Sequence, residues 1–148
     1  MSDKESGSEI VSYMVPDGLQ ALQVAESEGD LYVLAVSDDG SGIFRMDDGC
    51  FVPVLGPELF SVRDLSASDG ALYFTADRTG VNEFYRYDIS TKALSQLTST
   101  PYGALDFIYS PDGHALYYSQ HTLEGDLLSF TPVSELLPVS VSFSEHYR

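Results

Sequence analysis

The chain has 148 residues, of which 43% are hydrophobic, so its composition excludes an intrinsically disordered protein. Its 23 Asp and Glu residues outnumber 7 Lys and Arg, and the formal net charge of −16 argues against nucleic acid and anionic lipid as partners. A single cysteine, Cys50, excludes an internal disulfide, and no apolar run approaches the roughly 18 residues of a membrane span. A basic protein, a cation or a neutral ligand fits this charge better, although an acidic surface also simply keeps a β-rich protein soluble.

The N-terminal segment is polar, and residues 1–8 are predicted to be flexible. Because it lacks the apolar stretch of a signal peptide, we expect either a cytoplasmic protein or an export signal outside this chain. Residues 10–27 align with residues 93–110, which places Ile10–Val15 at the position of the fourth strand of a later unit. Ile10–Val15 is therefore predicted to be an orphan outer strand of a preceding or closing sheet.

Three units of short apolar runs and turn clusters follow, at residues 19–55, 61–98 and 104–143, without the sustained 3.6-residue period of a helix. The predicted strands of the first unit are Ala21–Glu26, Leu31–Val36, Ile43–Met46 and Cys50–Leu55. Those of the second unit are Val62–Ala67, Ala71–Ala76, Glu83–Asp88 and Ala93–Thr98. Those of the third unit are Ala104–Tyr109, Ala115–Ser119, Asp126–Phe130 and a last strand within Leu136–Phe143.

Asp-Gly pairs separate several of these strands. Asp and Gly both tolerate positive φ, so Asp47–Gly49 and Ser68–Gly70 are predicted to be hairpin turns. Asp38–Gly40 and Asp47–Gly49 could also suggest calcium loops, but the spacing of oxygen ligands in an EF-hand is not met. Hairpin turns are therefore the interpretation we favour.

The units are copies of one repeat. The Leu-Tyr pair recurs at Leu31-Tyr32, Leu72-Tyr73 and Leu116-Tyr117, at intervals of 41 and 44 residues. Four antiparallel strands in about 42 residues have the size of one propeller blade. The sequence therefore predicts an all-β fold of antiparallel four-stranded β-propeller blades, about three in number, in an open or partial ring.

The repeat resembles the TolB-type, WD-like β-propeller family over about Ile10 to Val139. The motifs that carry the resemblance are D-R-x-G at Asp77–Gly80, aromatic-x-Tyr-Asp at Tyr85–Asp88, Gln-Leu-Thr at Gln96–Thr98 and Ser-Pro-Asp-Gly at Ser110–Gly113. The first unit is looser, and the third loses the pattern after Gln120. The resemblance implies protein–protein contacts in extracytoplasmic complexes, or a domain that gates substrate beside a peptidase.

Three blades are fewer than the roughly four to eight that close a propeller. The exposed sheet edges of an open ring invite pairing with another chain. The chain is therefore expected to be a segment of a larger propeller protein, or alternatively a homodimer in which two copies complete a six-bladed ring. In the second case, Ile10–Val15 could complete the last blade of the partner.

The sequence contains no recognisable catalytic, cofactor-binding or metal-binding motif. It has no G-x-S-x-G, no H-E-x-x-H, no pair of C-x-x-C and no G-x-x-x-x-G-K-[ST]. No ligand spacing connects His114, His121 and His146. We therefore name no catalytic, cofactor or metal residue and expect no enzymatic activity from this chain.

One set of polar residues is a candidate for a binding site in the channel of the propeller. Aligning the first strands puts Gln23, Asp64 and Asp106 at equivalent positions, and the innermost strands of a propeller line its channel. These side chains could hold a cation or attract a basic peptide. We favour the alternative that they satisfy local backbone N–H groups.

Two functions are compatible with these observations. The first is a non-catalytic β-propeller segment that acts as a protein- or peptide-binding scaffold, and the alternative is the substrate-gating propeller portion of a larger peptidase or hydrolase. The aromatic runs Tyr73–Phe74, Phe84–Tyr87 and Tyr117–Tyr118 could form a ligand surface, but we interpret them as core between blades. We expect no nucleic-acid partner and no insertion into a membrane. The resemblance favours an extracytoplasmic location.

Overall fold

The computed structural model describes residues 14–58 and 60–141 and arranges them as three antiparallel β-sheets. Sheet 1 is a meander of four strands, each paired with the next along the chain. Its strands are β1 (Gln20–Ser27), β2 (Asp30–Ser37), β3 (Gly40–Asp47) and β4 (Cys50–Glu58). Short polar hairpins join them, as the alternation of apolar runs and turn clusters predicts.

Sheets 2 and 3 repeat this meander. The repeat strands of sheet 2 are β5 (Val62–Ser68), β6 (Ala71–Ala76), β7 (Glu83–Asp88) and β8 (Ala93–Gln96). Sheet 3 has β9 (Ala104–Tyr109), β10 (Ala115–Thr122) and β11 (Gly125–Pro132). Consecutive strands are neighbours in both sheets, so each repeat folds mainly on itself.

The C-terminal part of the described chain corrects one prediction. After a 3-10 turn at Val133–Glu135, the two-residue strand β12 (Val139–Ser140) pairs antiparallel with the outer edge of β8. The last strand predicted for the third unit, within Leu136–Phe143, therefore joins sheet 2, and sheet 3 has three strands among the described residues. Alternation of apolar and polar residues identifies a strand, but it does not specify which sheet edge that strand joins.

The other strand bounds differ from the predicted ones by a few residues. β3 begins at Gly40 and β11 extends to Pro132. The predicted outer strand Ile10–Val15 lies outside the described residues except for Met14 and Val15, which form no strand. The segment predicted to be flexible, residues 1–8, also lies outside them.

Two of the Asp-Gly pairs form the predicted hairpin turns. Asp48 and Gly49 have φ values of 53° and 82°, and Asp69 and Gly70 have 51° and 76°. Positive φ at both central residues is typical of a type I′ turn, whose twist matches that of the flanking strands. These acidic residues therefore serve local chain reversal.

The largest apolar core lies between sheets 1 and 2. Leu72, Phe74 and Tyr85 of sheet 2 pack with Tyr32 and Leu34 of sheet 1. The rings of Phe74 and Tyr85 are stacked, with centroids 5.6 Å apart. Because each such side chain contributes about 1.5–3 kcal/mol when fully buried, this core fixes the first two sheets against each other.

A second core lies on the opposite face of sheet 2. There Phe84 and Leu97 pack with Leu116 of sheet 3. The three sheets therefore stack face to face in chain order, and the predicted all-β, antiparallel architecture is confirmed. Within the described ranges, no helix is long and apolar enough to cross a membrane.

Candidate functional site

A cleft of about 960 Å³ opens between sheets 2 and 3, and we call it the inter-sheet cleft. Its walls are the face of sheet 2 that carries Tyr73 and Arg86, the strand β9, and the chain from Val133 to Pro138. Tyr73 and Arg86 are cross-strand partners, so they lie on the same face of sheet 2. Because side chains alternate between the two faces of a strand, this face of sheet 2 lies opposite the face that packs against sheet 1.

Four aromatic side chains form the floor of the cleft. Phe84 stacks on Phe107 with centroids 4.8 Å apart and on Tyr73 at 5.7 Å. Tyr109 meets Tyr73 edge-on at 5.6 Å. Pairs of this kind contribute about 0.5–1.5 kcal/mol beyond the area they bury. The floor is therefore a rigid apolar platform, built from both sheets.

Arg86 is the only basic residue among the described residues that line the cleft. Its Nε donates a hydrogen bond to the Tyr73 hydroxyl at 3.3 Å, and its Nη2 lies 3.5 Å from Asp88 Oδ2. The hydrogen bond to Tyr73 is the largest cause that raises the pKa of Arg86, and Asp88 adds to it. The guanidinium is held in place with part of its donor capacity still open to the cleft.

Tyr109 remains protonated at neutral pH. Burial is the largest cause, and together with the neighbouring Tyr73 it raises the pKa of the Tyr109 hydroxyl to about 12, whereas the charge of Arg86 acts in the opposite direction. A neutral phenol both donates and accepts hydrogen bonds. Tyr109 can therefore donate a hydrogen bond to a molecule in the cleft or accept one from it.

Carboxylates form the rim of the cleft. Asp64 and Asp106 both line it, and both have φ of 59°, each at an irregularity in pairing of the first strand of its sheet. Such a bulge re-aims side chains, and Asp is one of the residues that tolerate this backbone conformation. Asp64 Oδ2 accepts a hydrogen bond from the Thr75 hydroxyl at 3.2 Å.

The structure brings together two of the three aligned polar residues. Gln23 does not line the inter-sheet cleft, and its Oε1 accepts a hydrogen bond from the backbone N–H of Leu65 at 2.8 Å. Gln23 thus links sheet 1 to sheet 2 through a backbone N–H that is distant in sequence, whereas the role that we favoured for this set was a bond to a local backbone N–H. Asp64 and Asp106 are the pair whose carboxylates face a common space.

Two further carboxylates extend the rim. Asp69 lies in the β5–β6 turn and Asp112 in the β9–β10 turn. Asp112 Oδ1 accepts hydrogen bonds from the Ser110 hydroxyl at 2.6 Å and the His114 N–H at 3.0 Å, and these bonds lower its pKa. The rim therefore carries negative charge at neutral pH.

A buried carboxylate holds the start of the connection from sheet 2 to sheet 3. Glu83 is 1% exposed. It accepts hydrogen bonds from the Thr98 hydroxyl at 2.7 Å and from the N–H and hydroxyl of Thr100 at 2.6 Å and 3.0 Å. Nearby, Asn82 Nδ2 donates to the carbonyl oxygen of Ala104 at 2.7 Å. These bonds hold the connection from sheet 2 to sheet 3.

Two histidines of the described residues lie beside a carboxylate. His121 Nδ1 lies 2.9 Å from Asp126 Oδ1 on sheet 3, and His114 lies 3.7 Å from Asp112 in an exposed turn. No group of three or more His, Cys, Asp or Glu side chains in this part of the chain could hold a metal ion. His146 lies outside the described residues.

Sequence reasoning did not single out Arg86 or Tyr109. A signal for Arg86 was present, because it lies between Tyr85 and Tyr87 and strand alternation points it to the other face. Which face of a sheet packs into a core and which lines a cleft depends on how the sheets stack.

Most of the aromatic residues interpreted as core are buried, but Tyr117 is 41% exposed on the outer face of sheet 3.

Comparison with known proteins identifies the architecture. The solved structure of TolB from Acinetobacter baumannii is similar to this chain, with a TM-score of 0.64 and 17% identity, over 84% of this chain and 33% of that one. The chain therefore spans about a third of the length of that protein. The likeness confirms the resemblance to TolB-type repeats at the level of fold: the three sheets are blades of a partial β-propeller. No family model matches the sequence, and no curated protein matches it either.

Proposed function

We propose that the chain is a non-catalytic β-propeller segment of a larger propeller, and that it binds a protein or peptide partner in the inter-sheet cleft. The observation that carries the proposal is one cleft that combines an aromatic floor with an acidic rim. Binding energy in protein interfaces concentrates on aromatic and arginine side chains that lie in well-packed pockets. The volume of the cleft is also in the range of sites that enclose ligand groups.

The chemistry of the cleft indicates an extended basic peptide with an apolar anchor side chain. The anchor would cover the rings of Phe107 and Tyr109, and flanking Lys or Arg side chains would meet Asp64 and Asp106 at the rim. The net charge of −16 would speed the encounter with such a peptide. Arg86, fixed by Tyr73, would donate to a backbone carbonyl of the peptide.

A matched pair of Asp variants tests this proposal. Asp64→Asn with Asp106→Asn removes two rim charges and keeps a residue that tolerates the positive φ. Asp48→Asn makes the same change at a positive φ in a distant turn. We expect the double variant to weaken binding of a fluorescent nonapeptide with a central Phe and flanking Lys by about five- to tenfold, because each exposed charge pair contributes up to about 1 kcal/mol. Asp48→Asn should bind like the wild type.

Fluorescence anisotropy at two salt concentrations provides the measurement. Binding of the Lys peptide should weaken as salt rises, because screening reduces the attraction of exposed charges. A peptide with Glu in place of Lys should bind more weakly at low salt. Equal binding of the two peptides, or no binding of either by the folded protein, would contradict the proposal.

The family resemblance also supports a location outside the cytoplasm. Fractionation of cells that produce the tagged protein would test this location. Recovery of the protein with a cytoplasmic marker would contradict it.

A further inference from the structure

A crevice opens between sheets 1 and 2, on the face of sheet 2 opposite the inter-sheet cleft. It consists of two adjoining cavities of about 200 Å³ and 270 Å³, and Tyr32 and Ile89 line both of them. Both residues also belong to the apolar core between these sheets or pack against it. The crevice, which we call the Tyr32 crevice, is therefore the accessible margin of that core.

Strand pairing brings a cation to the first cavity. Arg45 pairs with Tyr32 on one side and with Val52 on the other, so these side chains form one row on the face of sheet 1 that meets sheet 2. Lys92, just before β8, also lines this cavity. Two cations therefore converge here, in a chain that has only 7 Lys and Arg against 23 Asp and Glu.

Both cations retain free donors. Arg45 Nη2 lies 3.4 Å from Asp47 Oδ2, and the other guanidinium nitrogens have no hydrogen-bond partner among the described residues. The ammonium group of Lys92 forms no ion pair within this part of the chain. A guanidinium and an ammonium group each carry several N–H donors. The first cavity can therefore bind a carboxylate without breaking a strong internal contact.

Two buried tyrosines add further donors. Tyr32 and Tyr87 both line the first cavity and are 3% and 6% exposed, yet neither hydroxyl hydrogen-bonds to another described residue. Buried polar groups normally have partners, because an unsatisfied one is costly. Burial is the largest cause that raises the pKa of both hydroxyls, so both carry their protons at neutral pH. Each phenol is therefore ready to donate to an acceptor in the cavity.

The second cavity carries the opposite charge. Glu28 and Asp30 line it, and neither carboxylate has a hydrogen bond or ion pair to another described residue. Beyond the effect of burial, Asp30 and Glu28 raise the pKa of Tyr32, whereas Arg45 lowers it. Charges of both signs therefore lie near one hydroxyl, and a small molecule beside it would meet both.

This arrangement selects a short zwitterion. A simple anion would be repelled at long range by the net charge of −16, whereas a zwitterion has no net charge to be repelled. Its carboxylate can bind to Arg45 and Lys92 in the first cavity. Its ammonium group can bind to the carboxylates of the second cavity. Residues 52–54 give the first cavity an apolar wall, which suits an apolar side chain on the ligand.

We propose that the Tyr32 crevice binds a free amino acid with an apolar side chain. The α-carboxylate accepts hydrogen bonds from Arg45, Lys92 and the phenols, and the α-ammonium group faces Glu28 and Asp30. This site goes beyond peptide binding in the inter-sheet cleft and does not depend on it, because the two sites lie on opposite faces of sheet 2.

A series of small molecules tests the proposal by isothermal titration calorimetry with the full chain. L-leucine should bind with a dissociation constant below about 1 mM. Leucinamide lacks the carboxylate and isocaproate lacks the ammonium group, so each should bind about tenfold more weakly than leucine. No binding of leucine up to about 10 mM, or equal binding of leucine and either analogue, would overturn the proposal.

A matched pair of Arg variants locates the carboxylate. Arg45→Gln should weaken leucine binding about tenfold and abolish the preference for leucine over leucinamide. Arg63→Gln makes the same change at an exposed residue of β5 that does not line the crevice, and it should bind leucine like the wild type. Equal affinities of the two variants for leucine would overturn the assignment.

The acidic end is tested in the same way. Glu28→Gln with Asp30→Asn should abolish the preference for leucine over isocaproate, because no carboxylate then meets the ammonium group. Asp64→Asn with Asp106→Asn removes as many charges from the inter-sheet cleft and should leave leucine binding unchanged. Loss of the preference in both double variants, or in neither, would overturn the assignment. A failure of peptide binding in the cleft would leave these results unaffected.

Tyrosine variants separate binding from folding. Tyr32→Phe with Tyr87→Phe keeps both rings and removes hydroxyls that have no internal partner, so stability in urea should be retained while leucine binding weakens about tenfold. Tyr118→Phe removes a hydroxyl that lies 2.9 Å from Thr131 Oγ1, so it should lower stability and keep leucine binding. Unchanged leucine affinity in the Tyr32 and Tyr87 double variant would overturn the proposed site.

Discussion

Glu83 is a buried polar residue that fixes the path of the chain between sheet 2 and sheet 3. Its carboxylate ties β7 to the chain that leaves β8, and the Thr98 hydroxyl that donates to it also accepts a hydrogen bond from the Phe84 N–H. Every oxygen of this carboxylate therefore has a partner. Because the connection leads directly into sheet 3, the geometry of the inter-sheet cleft depends on these bonds.

Glu83→Ala should lower the free energy of unfolding by about 2–3 kcal/mol, since it leaves the donors of Thr98 and Thr100 without their acceptor in a buried site. Urea denaturation followed by circular dichroism measures this loss. Glu124→Ala, in an exposed turn, provides the control and should change stability by less than about 0.5 kcal/mol. Equal stability of the two variants would show that the network does not hold the sheets.

Asp88 makes stability depend on pH in the acid range. The backbone N–H of Thr91 and then the Ser90 hydroxyl lower its pKa from 3.8 to about 2 in the folded chain. A depressed folded pKa stabilises the protein above the unfolded pKa, and this stabilisation is lost as pH falls through the folded value. The stability difference between wild type and Asp88→Asn should therefore be constant above about pH 5 and shrink between pH 4 and pH 2.

Denaturation curves at several pH values check this prediction. Ser90→Ala removes one of the donors and should move the acid transition part of the way toward that of Asp88→Asn. A stability difference between wild type and Asp88→Asn that does not change with pH would show that Asp88 titrates alike in the folded and unfolded chains.

At the scale of elements, β12 protects an edge that would otherwise be open. It covers β8, and the Val141 N–H donates to the carbonyl oxygen of Leu94 at 3.0 Å. Leu136, just before β12, packs into the core between sheets 2 and 3. The segment from Val133 to Val141 therefore joins the two blades on the side of their outer strands.

Val141→Pro should expose the edge of β8, because it removes this N–H and hinders pairing beyond Ser140. Amide hydrogen exchange within Ala93–Gln96 should then accelerate by about tenfold, which corresponds to about 1.4 kcal/mol of lost protection. Val141→Ala keeps the N–H and should exchange like the wild type. Unchanged exchange in the proline variant would mean that β12 does not protect β8.

The strands were predictable from the sequence because each is defined by local alternation and by turn residues. The pairs Asp48-Gly49 and Asp69-Gly70 each end one strand and form the hairpin turn to the next. The destination of β12 was not predictable, because its pairing depends on the path of the chain after Pro132. Local sequence signals specify which residues form strands, whereas the tertiary fold determines which strand edges pair.

At the scale of the whole molecule, the 41- and 44-residue repeat and the resemblance to TolB-type repeats predicted the stack of blades. The candidate site was predicted only in part. Asp64 and Asp106 were aligned by the repeat, and they share a cleft because the repeat stacks equivalent strands. Arg86 and Tyr109 acquire their environment from the contact between two blades, which no single repeat contains.

The return of the chain from sheet 3 to sheet 2 has a mechanical consequence. A tensile force applied to the chain at Val141 would be transmitted first to the ladder of β12 and β8, which comprises two residue pairs among the described residues. Sheet 3 would be loaded only after that ladder had separated and the anchor at Leu136 had been pulled from its core. β12 would therefore act as the weakest link in series, and under load the middle and last blades would come apart at their outer strands before either blade unravelled.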